Sequence, residues 1–215
     1  DELIKSGKIK VNNKVVTEMG YQVVRGDQVH YGSTLLSKEK LIYLLLNKPK
    51  DFITTTDDPQ DRKTVMQLIS KACEERIYPV GRLDRNTTGL LLFTNDGELS
   101  KKLTHPSHEV SKIYHVEIDK PMESEHFEKI KSGIVLEDGP VKVDDIAILN
   151  KVGLDLGVEI HSGKNRIVRR IFESFGYTVV KLDRVMFAGL TKKDLPRGKW
   201  RMLKDKEIIK LKHLK

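Results

Sequence analysis

Residues 80–97 read Val-Gly-Arg-Leu-Asp-Arg-Asn-Thr-Thr-Gly-Leu-Leu-Leu-Phe-Thr-Asn-Asp-Gly, a short polar loop that runs directly into an apolar strand. One acidic residue of this loop, Asp84, stands between Arg82 and Arg85. Neighbouring guanidinium groups favour the ionised form of a carboxyl group, and the strand at residues 89–93 anchors the loop. An anchored, ionised carboxylate suits a nucleophile better than a proton donor. The alternative is that Asp84 is an ordinary turn former, because short polar side chains bond their own backbone in loops.

The composition limits the kind of protein. A chain of 215 residues with 38% apolar residues can bury one full core and a small appendage, and 33% charged residues are typical of a soluble protein. The 39 Lys and Arg residues outnumber the 31 Asp and Glu residues, which favours a polyanionic partner because phosphates attract cations at long range.

The single cysteine, Cys73, excludes an internal disulfide framework and a cysteine-rich zinc site. We expect it to be buried in a helix of a protein from a reducing compartment. The longest apolar runs, such as residues 41–46, are far shorter than the roughly 20 residues that a membrane span requires. These features predict a cytoplasmic protein with no membrane partner.

A break in the pattern near residues 33–40 divides the chain into two unequal parts. In the first, residues 1–34, the end of a helix is followed by short strands and two turns. The helix is predicted at residues 2–5, the strands at residues 8–11, 15–16 and 27–31, and the turns at residues 12–13 and 25–27. This pattern predicts a small lobe that is mostly β-structure.

The second part, residues 41–215, alternates strands with a few helices but lacks the regular strand–helix repeat of a parallel sheet. Strands are predicted at residues 41–46, 89–93, 113–118, 141–149, 156–161 and 178–187. Helices are predicted at residues 64–72, 98–103, 123–131 and 165–175. The pattern therefore predicts an α+β fold, with flanking helices on a mainly antiparallel mixed sheet.

A basic segment, Gly-Lys-Asn-Arg-Ile-Val-Arg-Arg-Ile-Phe at residues 163–172, is a second functional candidate. Its apolar residues recur at helical spacing and predict one buried face, whereas Lys164, Arg166 and Arg170 fall largely elsewhere. The helix is expected to end at Gly176. Such a helix is either a solvated amphipathic element or a surface that contacts an anionic partner, and the residues alone leave both open.

The segment Lys-Ile-Tyr-His-Val-Glu-Ile at residues 112–118 alternates apolar and polar residues. Alternation puts Tyr114 on the face that it shares with Val116 and Ile118, which is normally the core face of a sheet. A core tyrosine is therefore the default interpretation.

Elsewhere, His105 and His108 come without a third ligand nearby, so no metal site is expected.

Three blocks carry a resemblance to a known family, the ribosomal RNA pseudouridine synthases. Residues 81–97 resemble the signature of one group in it, formed by type A, which modifies small-subunit RNA, and by types B, E and F, which modify large-subunit RNA. The flanking residues look most like type B. The basic segment is similar to the family's arginine motif, Gly-Arg-x-Arg-Gln-Val-Arg-Arg, with Lys164 and Ile167 as departures. Residues 1–34 resemble the second half of an S4 RNA-binding domain, with Asn13 in place of the usual turn glycine.

The resemblance implies a pseudouridine synthase fold for residues 41–215 and an enzyme that needs no cofactor. It would break the N1 glycosidic bond of a uridine in ribosomal RNA and rejoin the ring through C5. Asp84 would be the nucleophile, attacking either the sugar C1′ or the uracil C6. Arg169 would form an ion pair with Asp84, and Tyr114 would stack on the target base.

Phosphate contacts are expected from five cations of the two motifs: Arg82, Arg85, Lys164, Arg166 and Arg170. For Arg82 and Arg85, fixing the geometry of the loop is an equal alternative. The expected partner is large-subunit ribosomal RNA, and the expected state is a monomer.

Three alternatives remain open from the sequence. A non-catalytic RNA-binding factor for ribosome assembly would share the charge and the S4 fragment, but it has no need for the combination of Asp84, Tyr114 and Arg169. A synthase acting on small-subunit RNA is the alternative within the same class. A retaining hydrolase would require a second carboxylate about 5 Å from Asp84, which no motif supplies.

Overall fold

A computed structural model describes residues 2–24, 26–36 and 39–214. The chain divides into two compact units, residues 1–40 and residues 41–215. Arg25 of a predicted turn, and Ser37 and Lys38 of the predicted break, lie outside the described residues. In the described part of the chain, no helix is both long enough and apolar enough to cross a membrane.

The smaller unit is a helical turn followed by an antiparallel sheet. The elements are α1 (Glu2–Lys5), β1 (Ile9–Val11), β2 (Lys14–Val15), β3 (Val29–Tyr31) and β4 (Thr34–Leu35), and the strand order is β2-β1-β3-β4. Asn12 and Asn13 make the two-residue turn between β1 and β2 with φ angles of 49° and 65°. Asparagine tolerates this left-handed conformation, so the turn forms without a glycine. The predicted helix and strands are confirmed, and β4 was not predicted.

The larger unit is built on one large sheet with helices on both faces. Its strands are β5 (Tyr43–Lys48), β6 (Tyr78–Pro79), β7 (Thr88–Thr94), β8 (Lys112–Ile118), β9 (Ile134–Leu136), β10 (Gly139–Val141), β11 (Asp145–Ile148), β12 (Asp155–Ile160), β13 (Val179–Phe187), β14 (Leu190–Thr191) and β15 (Trp200–Met202). Its helices are α2 (Val65–Ile69), α3 (Gly97–Thr104), α4 (Ser124–Ser132), α5 (Ile167–Glu173) and α6 (Asp205–Lys212), with a 3₁₀ turn at Pro106–His108.

The order of strands in the large sheet is β11-β12-β8-β13-β7-β5-β15, with β6 on β7 and β14 on β13. Only β13 and β7 run parallel among these pairs, and β9 and β10 form a separate hairpin. The predicted α+β class with a mainly antiparallel mixed sheet is therefore confirmed.

Both faces of the sheet are buried at its centre. Leu91 and Phe93 of β7 pack against one apolar cluster that includes α2, whereas Leu90 and Leu92 pack against another that includes α3 and α6. A strand that is buried on both faces needs a continuous apolar run, which is what this part of the chain supplies. A third cluster joins α4 and α5 to β8, β12 and β13. The loop before β7 thus leads into a strand that is buried on both faces.

Two predictions were wrong. Residues 141–149 are not one strand, because β10 pairs with β9 in the separate hairpin, whereas β11 pairs with β12 in the large sheet. The adjacent Asp144 and Asp145 interrupt the alternation of apolar residues at the join, but two polar residues alone do not show that the flanking strands belong to different sheets. Cys73 lies in a loop and is partly buried, because α2 ends at Ile69 instead of Ala72. Strands β6, β9, β14 and β15 and helix α6 were missed.

Gly89 allows the parallel strands β7 and β13 to approach closely. Its φ angle is 107°, and a Cβ atom on it would lie 2.3 Å from the carbonyl oxygen and 2.5 Å from the nitrogen of Arg184. No side chain fits at such distances from a backbone. The absence of a side chain at Gly89 therefore sets the spacing of the two strands directly after the polar loop.

We expect Gly89→Ala to lower the free energy of unfolding by about 2–5 kcal/mol, because it combines a positive φ with overpacking against a backbone. Gly97→Ala is the matched control, since Gly97 is exposed and a Cβ there meets nothing within 4 Å. Urea unfolding measures both variants. An equal, small effect for the two would contradict a close approach at Gly89.

Asp183 of β13 ties the same region to the C-terminal segment. Its carboxylate accepts hydrogen bonds from Thr88 Oγ1 at 2.7 Å, from Arg197 Nη1 at 2.8 Å and from Lys192 Nζ. Burial of the carboxyl group raises its pKa, but the bonds from Arg197, Lys192 and Thr88 outweigh burial and lower the pKa of Asp183 to about 2. The carboxylate form is therefore bound to the fold more tightly than the acid.

A pKa depressed from 3.8 to about 2 contributes about 2 kcal/mol of stability above pH 4, and this contribution is lost as the pH falls from about 4 to about 2. We therefore expect the gap in free energy of unfolding between wild type and Asp183→Asn to shrink over that range. Urea titrations at about pH 7, 4, 3 and 2.5 span this loss and measure it. A gap independent of pH would argue against the bound carboxylate.

Candidate active-site cleft

A cleft of about 270 Å³ opens beside the polar loop that precedes β7. Its walls come from residues 81–84 and Thr87 of that loop, from Tyr114 and Leu182 of the sheet, and from residues 163–168 at the start of α5. Five of the eight predicted site residues line it: Arg82, Asp84, Tyr114, Lys164 and Arg166. Four segments that are distant in the sequence thus meet around one space.

Asp84 presents its carboxylate to this cleft. The residue is half-buried, and no described residue gives its carboxylate a hydrogen bond or an ion pair within 4.0 Å. Its backbone carbonyl is held instead, by Lys48 Nζ at 3.0 Å and by the Thr87 amide at 3.0 Å. The backbone of Asp84 is therefore fixed while its carboxylate is available to a ligand.

Lys48, at the end of β5, binds the backbone of the loop. Its side chain is fully buried, and Nζ donates to the carbonyl oxygens of Pro49 at 3.1 Å, Asp84 at 3.0 Å, Arg85 at 3.3 Å and Thr87 at 2.8 Å. Burial lowers the pKa of Lys48 to about 8. The ammonium group thus keeps its charge at pH 7 and satisfies carbonyls that would otherwise be buried without donors.

Sequence reasoning missed Lys48. A signal was available, because this lysine ends the segment Leu-Leu-Leu-Asn-Lys in a strand that is buried throughout, and a buried lysine is rare unless its charge has partners. The partners in the polar loop, carbonyls that are distant in the sequence, could not be read from the pattern.

Arg169 lies deeper than the cleft lining and is 8% exposed. Its Nη1 donates to the Val179 carbonyl at 2.9 Å, and Nη2 donates to the Asn86 carbonyl at 3.5 Å. Burial lowers the pKa of Arg169, and the nearby Asp84 carboxylate opposes that shift. The predicted ion pair is not formed in this structure, because no Arg169 nitrogen lies within 4.0 Å of the Asp84 carboxylate. The arginine braces the Asp84 loop through Asn86 and attracts Asp84 from a longer distance.

Tyr114 combines the two roles considered for it. It packs against two of the three apolar clusters and also lines the cleft, whereas Val116 and Ile118 on the same face are buried. The predicted face is confirmed. Because the strand emerges from the core at this end, part of the ring is available to a ligand in the cleft.

The two arginines next to Asp84 differ in their surroundings. Arg82 is exposed and lines the cleft, and no described residue pairs with it. Arg85 does not line the cleft, and its Nε lies 3.4 Å from an exposed Asp51 carboxylate. An exposed pair of this kind contributes little stability, so Arg85 is held loosely.

The other three cations of the basic segment contact acidic residues. Lys164 Nζ donates to the Asp138 carbonyl at 2.9 Å, and Arg166 Nη2 donates to Glu173 at 3.2 Å. Arg170 forms an ion pair with the Asp138 carboxylate and does not line the cleft. The structure therefore brings Lys164 and Arg166, but not Arg170, to the wall opposite Asp84.

No metal site accompanies these residues. Within residues 2–24, 26–36 and 39–214, no group of three or more His, Cys, Asp or Glu side chains is arranged to hold a metal ion. The chemistry that the cleft offers from its own residues is a carboxylate, an aromatic ring and a cationic rim.

Comparison with known proteins gives two family matches. Residues 42–174 match the RNA pseudouridylate synthase family, and residues 1–29 match the S4 domain family. The first match covers the Asp84 loop, Tyr114 and the whole basic segment.

Individual relatives are similar over nearly the whole chain. The chain is 41% identical to ribosomal large subunit pseudouridine synthase B of Bacillus subtilis (strain 168), over 100% of this chain and 89% of the relative. It is 38% identical to the protein of the same name from Vibrio cholerae, over 100% of this chain and 69% of the relative. A crystal structure of a pseudouridylate synthase superposes with a TM-score of 0.74 at 30% identity, covering 98% of this chain and 91% of that one.

The role of Lys48 can be tested by Lys48→Met, which nearly keeps the length of the side chain and removes the donors. Buried carbonyls without donors cost about 1–3 kcal/mol each, so we expect the amides of residues 81–88 to exchange hydrogen at least about tenfold faster. Lys50→Met, a short distance further along and exposed, is the control. Equal exchange in this loop for the two variants would show that Lys48 does not hold it.

Proposed function

The chain belongs to the RNA pseudouridine synthase family, and from that membership we propose that it isomerises a uridine of large-subunit ribosomal RNA with Asp84 as the nucleophile. The family match and the relatives make it an isomerase acting on RNA. The observation that supports Asp84 is its carboxylate, which faces the cleft beside Tyr114 without a partner among the described residues. We assign residues 41–215 as the catalytic domain and residues 1–34 as a partial S4 RNA-binding domain.

The reaction exchanges one bond of the uridine for another. The N1–C1′ bond breaks and N1 takes up a proton, the uracil ring turns, a bond forms between C5 and C1′, and the proton on C5 leaves, so the product is an isomer of uridine. Asp84 would assist by a covalent route, through attack on the sugar C1′ or on the uracil C6. Both routes need an ionised carboxylate that is not already occupied, and both are compatible with a backbone held by Lys48.

The target uridine has to leave its base stack before it reaches Asp84. Turning a base out costs a few kcal/mol, and stacking on an aromatic ring recovers about 1–3 kcal/mol. Tyr114 is an aromatic side chain in the lining of the cleft, and we propose that it provides this stacking.

Cations around the cleft would bind the phosphates that flank the target. Arg82 is the best candidate because it lines the cleft and pairs with no described residue. Lys164 and Arg166 line the opposite wall, and Arg85 would contact the strand outside the cleft. In place of a direct ion pair, we propose that Arg169 attracts the Asp84 carboxylate from a distance and braces the loop through Asn86.

The substrate class is proposed from the relatives. Two proteins named ribosomal large subunit pseudouridine synthase B are similar over the full chain, and residues 1–29 match the S4 domain family, which binds RNA. These matches support large-subunit over small-subunit RNA as the substrate. We propose that the protein acts on it in the cytoplasm, as a monomer.

Tritium release from RNA labelled at uridine C5 tests the proposal. We expect wild type to release tritium from unmodified large-subunit RNA and Asp84→Asn to be at least about 1,000-fold slower, because the amide cannot act as a nucleophile. Asp57→Asn, a change of the same kind at an exposed loop residue, should retain full activity. The Kd for RNA should stay within about threefold for all three proteins, a difference of less than 1 kcal/mol.

Other outcomes have distinct meanings. Near-normal release by Asp84→Asn would remove Asp84 as the nucleophile. Release from small-subunit RNA alone would redirect the substrate, and binding without release by wild type would favour the non-catalytic assembly factor.

A further inference from the structure

The turn between β9 and β10 contacts the basic segment, which forms one wall of the cleft. Asp138 in that turn accepts hydrogen bonds from both terminal nitrogens of Arg170, one of them from Nη1 to Oδ2 at 3.1 Å. A bidentate arginine–carboxylate pair fixes direction as well as distance. The Asp138 backbone carbonyl accepts a further bond from Lys164 Nζ at 2.9 Å. One turn residue therefore contacts two cations of the basic segment.

A second contact of Arg170 links Asp138 to the backbone of the cleft wall. Its Nη1 also donates to the Asn165 carbonyl at 3.1 Å, so the guanidinium bridges Asp138 and the backbone of residues 164–166. These three residues line the cleft. Arg170 itself lies outside the lining and acts between the hairpin and the wall.

The wall needs such support because helix α5 starts without a side-chain cap. Arg166 occupies the position before the helix in a left-handed conformation, with φ of 49°, and its side chain forms no capping hydrogen bond. A left-handed non-glycine residue costs about 1–2 kcal/mol and persists only where its surroundings hold it. The Asp138–Arg170–Asn165 bridge connects this point to the hairpin.

We propose that Asp138 is a positioning residue, which holds residues 164–166 in the cleft wall so that Lys164 and Arg166 meet the phosphates of the RNA substrate. This inference rests on the proposed function of the cleft. The pair of Asp138 and Arg170 is partly exposed, with side-chain exposures of 43% and 26%, so it contributes little to global stability. The pair acts instead on the position of residues 164–166.

A carboxylate close to an RNA site also repels phosphate, and the experiment has to separate that effect from positioning. Glu137 precedes Asp138 in the same turn, is exposed, and its side chain forms no hydrogen bond or ion pair with a described residue. Asp138→Asn and Glu137→Gln therefore remove the same charge from the same turn. Only the first changes a direct contact with Arg170, since Glu137 acts on that arginine through its charge alone.

The measurement is the Kd for a fragment of large-subunit RNA as a function of salt, together with kcat and KM. We expect Glu137→Gln to bind as wild type does, or slightly more tightly. Asp138→Asn should raise Kd and KM about fivefold and reduce the salt slope by about 0.7, the value of one phosphate contact on a single strand. Thermal midpoints should agree within about 2 °C, because an exposed pair adds little stability.

A double-mutant cycle tests whether Asp138 acts through the cleft wall. Lys164→Ala should weaken binding in wild type and have less effect in the Asp138→Asn background, because the lysine is already displaced there. Strictly additive effects would show that the two residues act independently and would overturn the proposal.

Two further results would overturn it. Tighter binding with a steeper salt slope in Asp138→Asn would make Asp138 a competitor of RNA for the cations. Identical values for Asp138→Asn and Glu137→Gln would leave charge as the only effect. If wild type binds RNA but releases no tritium, the proposed function fails, while the Kd comparison still decides the role of Asp138. If wild type binds no RNA, both proposals fail.

Discussion

The buried ammonium group of Lys48 is the constraint on which the cleft depends. Its bonds to the backbone of Asp84, Arg85 and Thr87 attach the polar loop to the end of β5, which is buried along its whole length. A lysine can hold several carbonyls at once because it has three donors and no preferred plane. The loop is thereby fixed through its main chain, which leaves the side chain of Asp84 uncommitted.

The opposite wall is held in a similar way. Residues 164–166 are held through the Asn165 carbonyl and through Asp138, and Arg169 is bound to the carbonyls of Val179 and Asn86. Structural cations are thus bound by backbone oxygens or by an acidic residue outside the cleft. An ion pair to Asp84 within the protein would compete with substrate. The described residues place no cationic nitrogen within 4.0 Å of the Asp84 carboxylate.

The site was predicted in part. Local motifs identified five residues that the structure brings to one cleft: Arg82, Asp84, Tyr114, Lys164 and Arg166. In this structure Arg169 binds the carbonyls of Val179 and Asn86 instead of the Asp84 carboxylate, because a motif indicates which residues are near each other but not which acceptor a guanidinium selects among several. Lys48 and Asp138 were missed because their function lies in contacts with carbonyls and cations that are distant in sequence.

The sequence by itself determined the class of fold, the strands at the centre of the sheet and the loop that carries the nucleophile candidate. These depend on apolar periodicity, turn residues and motif spacing, all of which act over a few positions. Only the tertiary structure decided where residues 139–148 divide between hairpin and sheet, which arginines face the cleft, and what fixes the Asp84 loop. Those outcomes depend on long-range hydrogen bonds and on burial. The same local pattern of residues is compatible with several such sets of long-range contacts.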